Sequence, residues 1–324
     1  MRIVFCGSPA FAVPSLERLV LSDHEIACVV TQPDRPAGRG LGLKAPPVKQ
    51  CALAHGITVY QPEKFSTRSF REVLEGVGPD LIAVVAYGKI LRPRMLAVPQ
   101  LGCVNLHASL LPKYRGIAPV NWAIIQGETE TGVTTIFMDP GVDTGDMILS
   151  RSTPIGCDET AGELLDRLAG IGADVLVETC DLVAQGRAAR TKQDESLASY
   201  APKFSKEDGR IVWDRPAKAV HDHIRGVSPW PGAVTELRGK PVKIIRSGLF
   251  AGPDGYEGGL REPGRTIDID SGNGILVSCG SGAVWLKKLQ AFGRKPVRGA
   301  DFARGYRIGI GDLFGYEADQ DSPR

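Results

Sequence analysis

The sequence predicts an α/β fold: an open, mainly parallel, Rossmann-like sheet followed by a small β-rich domain of the OB-like barrel type. Three observations predict it. Strand-like and helix-like patterns alternate up to about residue 185. The clearest strand pattern, residues 80–86 (DLIAVVA), is apolar throughout rather than alternating, as in strands covered on both faces. Past a polar stretch at 186–208 the pattern changes to short strands broken by Gly and Pro. The length of 324 residues fits two domains at roughly 100–200 residues each. The expected division is 1–185, a linker at 186–208, and 209–324.

The elements follow in order. Residues 2–6 read as a first strand and 11–20 as a helix, with Pro14 tolerated in its first turn. Residues 26–31 (IACVVT) read as a second strand, followed by a Pro/Gly/basic loop and a helix near 48–55. A short strand at 58–60, a short helix at 69–75 and the buried strand at 80–86 come next. Residues 103–107 (CVNLH) are another strand and 119–126 a helix. Strands are expected at 133–138 and 147–150, and a long helix at 161–182. Beyond the polar stretch a single helix is expected, at 217–226. Strands are expected at 233–237, 242–247, 264–269, 274–278 and 283–289.

Composition removes several function classes. No uncharged apolar run approaches the ~20 residues of a membrane-spanning helix. The N-terminus runs straight into a strand-like pattern, so the reading carries no signal peptide and a cytoplasmic protein. Seven cysteines (6, 28, 51, 103, 157, 180, 279) show no C-x-x-C spacing. They read as small buried hydrophobes, and no metal site is expected. Residues 1–206 carry 21 Lys+Arg against 22 Asp+Glu, a net of −1. Residues 207–324 carry 18 against 15, a net of +3. The sharper feature is local: residues 31–49 hold Arg35, Arg39, Lys44 and Lys49 against Asp34 alone. A basic loop of this kind can meet phosphates; on charge alone a solvated surface loop explains it as well.

The first βα turn, Gly7-Ser8-Pro9-Ala10, is neither G-x-G-x-x-G nor a P-loop. Pro9 removes a backbone N–H where a phosphate nest would need one, so a dinucleotide is not expected. The chemistry-bearing residues lie elsewhere. On a strand at 103–107, Asn105 and His107 share a face and stand near its carboxyl end, where ligands of such sheets bind. An amide can donate to a developing oxyanion, and an imidazole can stabilise charge or relay a proton. The pair equally suits a strand-end turn and a hydrogen-bonded half-buried histidine. A third piece, residues 138–146 (MDPGVDTGD), is a Gly-rich loop with three carboxylates. Either Asp143 or Asp146 can turn toward His107, and a plain turn accounts for the same composition.

Taken together, NLHASLLPKYRG at 105–116 and DTGD at 143–146 resemble the N10-formyltetrahydrofolate formyltransferase superfamily. Its members share N-x-H, S-L-L-P-x-[YWF]-[RK]-G and an Asp-bearing loop. TQPDRPAGRG at 31–40 and Ser228-Pro229-Trp230-Pro231-Gly232 are similar to the branch whose acceptor is methionine on initiator tRNA. The resemblance runs from the first strand into the C-terminal region and weakens beyond about residue 248. It implies a catalytic trio of Asn105, His107 and Asp143. It implies that Ser109, Leu110, Leu111 and Pro112 border the folate of the donor, 10-formyltetrahydrofolate. It implies that Arg39 reaches the tRNA acceptor end, with Arg35, Lys44 and Lys49 as further phosphate contacts, and that the C-terminal barrel helps hold the tRNA. The implied scheme passes through a tetrahedral oxyanion that Asn105 and protonated His107 stabilise, and it requires neither a metal nor an oligomer. With tRNA absent, its glycines would leave 36–45 poorly ordered. Arg246, Lys287, Lys288, Arg294, Lys295 and Arg298 are cations of the C-terminal region for which RNA contact and simple solvation are equally open. The nearest rival is a formyltransferase acting on a nucleotide-linked amino sugar, an acceptor that has no need of the basic loop. A glycinamide ribonucleotide enzyme fits the first turn and the length less well. A non-catalytic RNA-binding or folate-sensing protein on the same scaffold is the rival from another class.

Overall fold

The computed structural model describes residues 1–37, 42–252 and 262–316. Its strands are β1 (Arg2–Gly7), β2 (Glu25–Val30), β3 (Arg35–Ala37), β4 (Gly42–Lys44), β5 (Val59–Tyr60), β6 (Leu81–Val85), β7 (Cys103–His107), β8 (Arg115–Gly116), β9 (Glu130–Phe137), β10 (Met147–Pro154) and β11 (Tyr200–Ala201), then β12 (Ala233–Leu237), β13 (Lys240–Leu249), β14 (Thr266–Asp270), β15 (Gly274–Ser278), β16 (Ala283–Ala291) and β17 (Val297–Arg298). Its α-helices are α1 (Val13–Val20), α2 (Pro47–Ala54), α3 (Arg68–Val77), α4 (Pro93–Leu96), α5 (Pro119–Ile125), α6 (Ala161–Ala184), α7 (Ala217–Gly226) and α8 (Gly299–Tyr306). No helix among the described residues is long and apolar enough to cross a membrane.

The chain divides into two compact units. The first holds residues 1–119, 130–153 and 165–202; the second holds 120–129, 154–164 and 203–324. In the first, a seven-stranded sheet runs in the order β10-β9-β7-β6-β1-β2-β5. β5, β2, β1, β6 and β7 are mutually parallel, and β9 lies antiparallel to β7. Strand order therefore reverses between β1 and β6, the switch point at whose carboxyl side doubly wound sheets keep their ligands. The central strands are apolar because helices cover them: β6 is buried at every residue. Helix α1 turns Leu16 and Leu19 inward, and α3 does the same with Phe70 and Leu74. Thr67 caps α3 by accepting from the Phe70 N–H at 3.3 Å. Phe65 stands edge-on to both Phe70 and Tyr87, with ring centroids 5.4 Å apart in each pair.

Residues 186–208, read from sequence as a linker, contain β11, which pairs in parallel with β8 through Tyr200–Arg115 and Ala201–Gly116. Gly116 permits this pairing. Its φ is 118°, and a Cβ there would stand 2.8 Å from the Ala201 carbonyl oxygen.

In the second unit the sheet order is β12-β13-β16-β15-β14, antiparallel throughout, with β17 added to β16. Leu313 bridges to Arg265 beside β14, and Phe314 bridges to Leu237 at the end of β12. The two edge strands thus meet through this segment, as closure of a barrel requires. Leu276, Ala283 and Trp285 form one of its apolar clusters, with Phe250 and Ile267 packed against them. Helix α7 buries Val220 and Ile224. His221 of α7 is 2.8 Å from the Ser247 hydroxyl on β13.

Candidate active site

The site is built on the end of β7. Strand alternation sends Asn105 and His107 to one face, and β7 sits between parallel β6 and antiparallel β9. Past His107 the chain makes a loop that pins itself to β9. The Thr134 hydroxyl donates to the Ser109 carbonyl at 2.7 Å and accepts from the Leu111 N–H at 3.2 Å. The Ser109 hydroxyl closes the loop by donating to the Lys113 carbonyl at 2.6 Å. Of the four residues assigned to the folate border, Ser109 and Leu111 are buried and Leu110 and Pro112 are half-buried. Ser109 spends its hydroxyl inside the loop, so what this loop can offer a ligand is shape and apolar surface.

Asp143, not Asp146, is the carboxylate that turns inward. Its Oδ1 accepts from the Asn105 side-chain amide at 3.2 Å. Its Oδ2 accepts from the Gly116 N–H at 2.9 Å and lies 3.5 Å from His107 Nδ1. Asp146 instead sits 3.8 Å from the Arg190 guanidinium. The loop's shape explains the choice. Asp143 takes a left-handed φ of 54°, which reverses the chain toward β7. Asp139 braces the same turn by accepting from the Gly141 N–H and the Thr144 hydroxyl. Gly145 follows because a Cβ there would be driven into the Phe137 carbonyl oxygen.

His107 is buried, and its Nε2 is 2.9 Å from the Tyr114 carbonyl oxygen. A carbonyl only accepts, so Nε2 is the donor there. With Nδ1 beside Asp143, both ring nitrogens face oxygen acceptors. The expectation that a His107 N–H points at an oxyanion therefore meets a difference: as placed, the ring has none left over. Asn105 is better disposed, since one Nδ2–H goes to Asp143 and the amide carries a second.

Three supporting groups were not singled out in the sequence. They are the Tyr114 carbonyl, the Gly116 N–H and Gln193, whose amide donates to the carbonyls of Asp143 and Gly145 at 2.7 and 2.8 Å. The Arg115-Gly116 pair stands inside the 105–116 motif run, but Gln193 lies in the stretch read as linker and carries no signal.

Within the basic stretch, residues on either side of 38–41 are paired. β3 and β4 pair as a ribbon in which Arg35 stands opposite Lys44, and both are exposed. Arg39 lies outside the described residues, as does the middle of the stretch expected to be poorly ordered. Lys49 is engaged: its ammonium meets both oxygens of half-buried Asp34 at 2.9 and 2.8 Å. Gln61 donates to the same carboxylate at 2.7 Å, and these hydrogen bonds, Gln61 first, hold Asp34 below the usual carboxylate range. In the second unit Arg246 pairs with Glu163, Lys287 with Asp158 and Arg298 with Asp301. Hydrogen bonds from Arg246, and then from Thr160, bring the Glu163 carboxyl down to about 2. Among the described residues, no carboxylate pairs with Lys288, Arg294 or Lys295.

Comparison with known proteins gives this geometry a family. The sequence profile described as "Formyl transferase" matches residues 1–180, and "Formyl transferase, C-terminal domain" matches 203–307. A methionyl-tRNA formyltransferase of Geobacter sulfurreducens is 48% identical over 315 residues, covering 97% of each chain. Among solved structures, WlaRD, a sugar 3N-formyl transferase crystallised in the presence of dTDP and 5-N-formyl-THF, superposes with a TM-score of 0.66 at 20% identity. It covers 91% of this chain and 99% of its own. A methionyl-tRNA formyltransferase from Clostridium thermocellum superposes with a TM-score of 0.56 at 18% identity, covering 78% of this chain and 95% of its own. These two structures share the fold; it is the near full-length sequence match that decides between branches, and by it the chain belongs to the methionyl-tRNA formyltransferase family.

Proposed function

We propose that this enzyme transfers the formyl group of 10-formyltetrahydrofolate to the α-amine of methionine esterified to initiator tRNA, in the cytoplasm, for the start of protein synthesis. The observation that carries the acyl-transfer reading is Asp143: a single carboxylate joins the Asn105 amide, His107 and the Gly116 N–H at the end of β7.

In this reading the neutral amine attacks the formyl carbon, a C–N bond forms, and the carbonyl electron pair moves onto oxygen. The second Nδ2–H of Asn105 donates to that oxyanion. His107 offers no free N–H; held by the Tyr114 carbonyl at Nε2, it stands with Nδ1 beside Asp143 and orients that carboxylate. Asp143 takes the proton that the amine sheds. The oxyanion then collapses, the bond to N10 breaks, and N10 takes up the proton that Asp143 had received. The loop of Ser109, Leu110, Leu111 and Pro112 borders the folate by shape.

The tRNA side of the proposal rests on the β3–β4 ribbon. Arg35 and Lys44 oppose each other across it, and like charges directly opposite repel until an anion lies between them. Arg39 belongs to the same loop. Lys49 acts one step back, bracing Asp34 next to Arg35. Residues 209–324 supply the second platform, with Lys288, Arg294 and Lys295 as its available cations. Such contacts position the acceptor stem without reading sequence.

The deciding experiment is turnover with a choice of acceptors. The protein is incubated with 10-formyltetrahydrofolate and either methionyl-tRNA or a nucleotide-linked amino sugar, and release of tetrahydrofolate is followed. Formylation of the tRNA is expected. Turnover with the sugar alone overturns the acceptor assignment, and turnover with neither favours a binding protein on the same scaffold.

A further inference from the structure

We propose that Gln193, clamped by the buried guanidinium of Arg115, is the positioning residue that fixes the Asp143 loop in its working shape. The proposal rests on the reading of Asp143 as a member of the catalytic centre.

Asp143 sits in the left-handed region at φ 54°, a conformation that Asp tolerates but that must be enforced by its surroundings. Asp139 braces the turn from within, and one side-chain amide holds its backbone from outside the loop. Gln193 Nε2 donates to the Asp143 carbonyl at 2.7 Å and to the Gly145 carbonyl at 2.8 Å, tying together the two residues that flank the turn. Both N–H groups of the amide are used there. Its oxygen accepts from Arg115 Nε at 3.0 Å and Nη2 at 2.9 Å. The amide therefore cannot flip, because flipping sets its NH₂ against the guanidinium and its oxygen against two carbonyls.

Arg115 is itself locked. Its side chain is fully buried, and Nη1 and Nη2 each donate to Glu195, at 2.9 and 2.8 Å, in a bidentate pair. Arg115 also lies on β8, whose next residue, Gly116, donates to Asp143 Oδ2. The same arginine thus controls the loop twice: through its own strand to the carboxylate, and through Gln193 to the backbone. Gln193 acts only through Asp143.

The test uses the full-length enzyme, with Met-tRNA formylation kinetics and thermal unfolding measured together. Gln193→Glu keeps an acceptor for Arg115 but sets a carboxylate oxygen against the two carbonyls. It should unfold within about 2 °C of the native protein, lower kcat about 10²-fold through misplacement of Asp143, and leave KM for both substrates within about twofold. Gln193→Ala should lose kcat similarly. A Gln193→Glu enzyme with native kcat overturns the proposal, as does a loss of kcat that only tracks a loss of folded protein. Asp143→Asn, assayed alongside, separates two failures. A slow Asp143→Asn with a normal Gln193→Glu removes the positioning role alone. A normal Asp143→Asn removes the catalytic reading of Asp143, and the positioning role with it.

Discussion

At the scale of single residues the proposed chemistry depends on Asn105 offering an N–H for which the described residues hold no acceptor. Asp143 takes one of its two amide hydrogens. The other is expected to carry the oxyanion, so Asn105→Ala should lower kcat by about 10²–10³, or ~3–4 kcal/mol. Steady-state formylation at saturating donor checks this, and a rate near native would refute the assigned role. Gly145 offers a second test. A Cβ there collides with the Phe137 carbonyl, on the strand next to β7, so Gly145→Ala must push the 139–146 loop outward. Activity should be lost at a stability cost of about 1–3 kcal/mol, read by urea unfolding and kcat together. The residues differ in how far the sequence revealed them. Asn105 and His107 were legible because strand alternation needs only a two-residue period. The residue pattern alone left Asp143 and Asp146 open, because the choice turns on one φ value in a Gly-rich loop; only the family resemblance pointed to Asp143. Gln193, the Tyr114 carbonyl and the Gly116 N–H were hidden for another reason. Two are backbone groups that every sequence offers, and Gln193 lies 50 positions from Asp143.

Among the elements, α7 shows how burial of polar groups couples to pH. His221 and His223 lie on this helix, and both have lowered pKa values. Burial is the main cause in each; Arg225 adds to it for His221, and Arg215 for His223. Both are therefore neutral in the fold near neutral pH. The unfolded chain takes up protons near the ordinary value of about 6.5. Stability from these two groups is fully present above that value and is lost as pH falls toward their lowered folded values. The slope is at most about 1.4 kcal/mol per pH unit for each. Denaturant unfolding of the native protein between pH 7.5 and 5.5 should show this fall, and His223→Leu should make it shallower. An unchanged slope in that variant would mean the histidine does not titrate on unfolding. Element legibility follows length, with two-residue β5 as the exception. Helix α7 and strands β12 and β15 form with the bounds read from the sequence, since their apolar periods are long enough to count. β8, β11 and β17 are two residues each, below any period. Helix α8 escaped because its sequence, GADFARGY, carries two glycines that blur the helical pattern.

For the molecule as a whole, charge does not explain RNA binding, and that makes the ribbon testable. The α/β alternation announced a parallel sheet, but not the strand order that reverses between β1 and β6, because order is set by which crossovers pack. Net charge is +2, and the first 206 residues sum to −1, so no general positive field draws RNA to that stretch of the chain. Attraction there must be local. The local feature is Arg35 opposite Lys44, both exposed, on a ribbon whose neighbouring Asp34 is already neutralised by Lys49. If each cation meets one phosphate, binding releases about one counterion per contact, and the slope of log K against log salt changes by about 0.9 for each. The double replacement Arg35→Gln with Lys44→Gln should therefore flatten the salt dependence of tRNA binding by nearly two. It should weaken binding at low salt far more than at high salt, and leave KM for 10-formyltetrahydrofolate unchanged. Filter binding of methionyl-tRNA from about 50 to 200 mM salt measures the slope. A slope equal to that of the native enzyme would make the ribbon a solvated surface after all. A flattened slope together with an altered donor KM would mean that the substitutions disturb the fold around Asp34, because a pure phosphate contact leaves the folate side untouched.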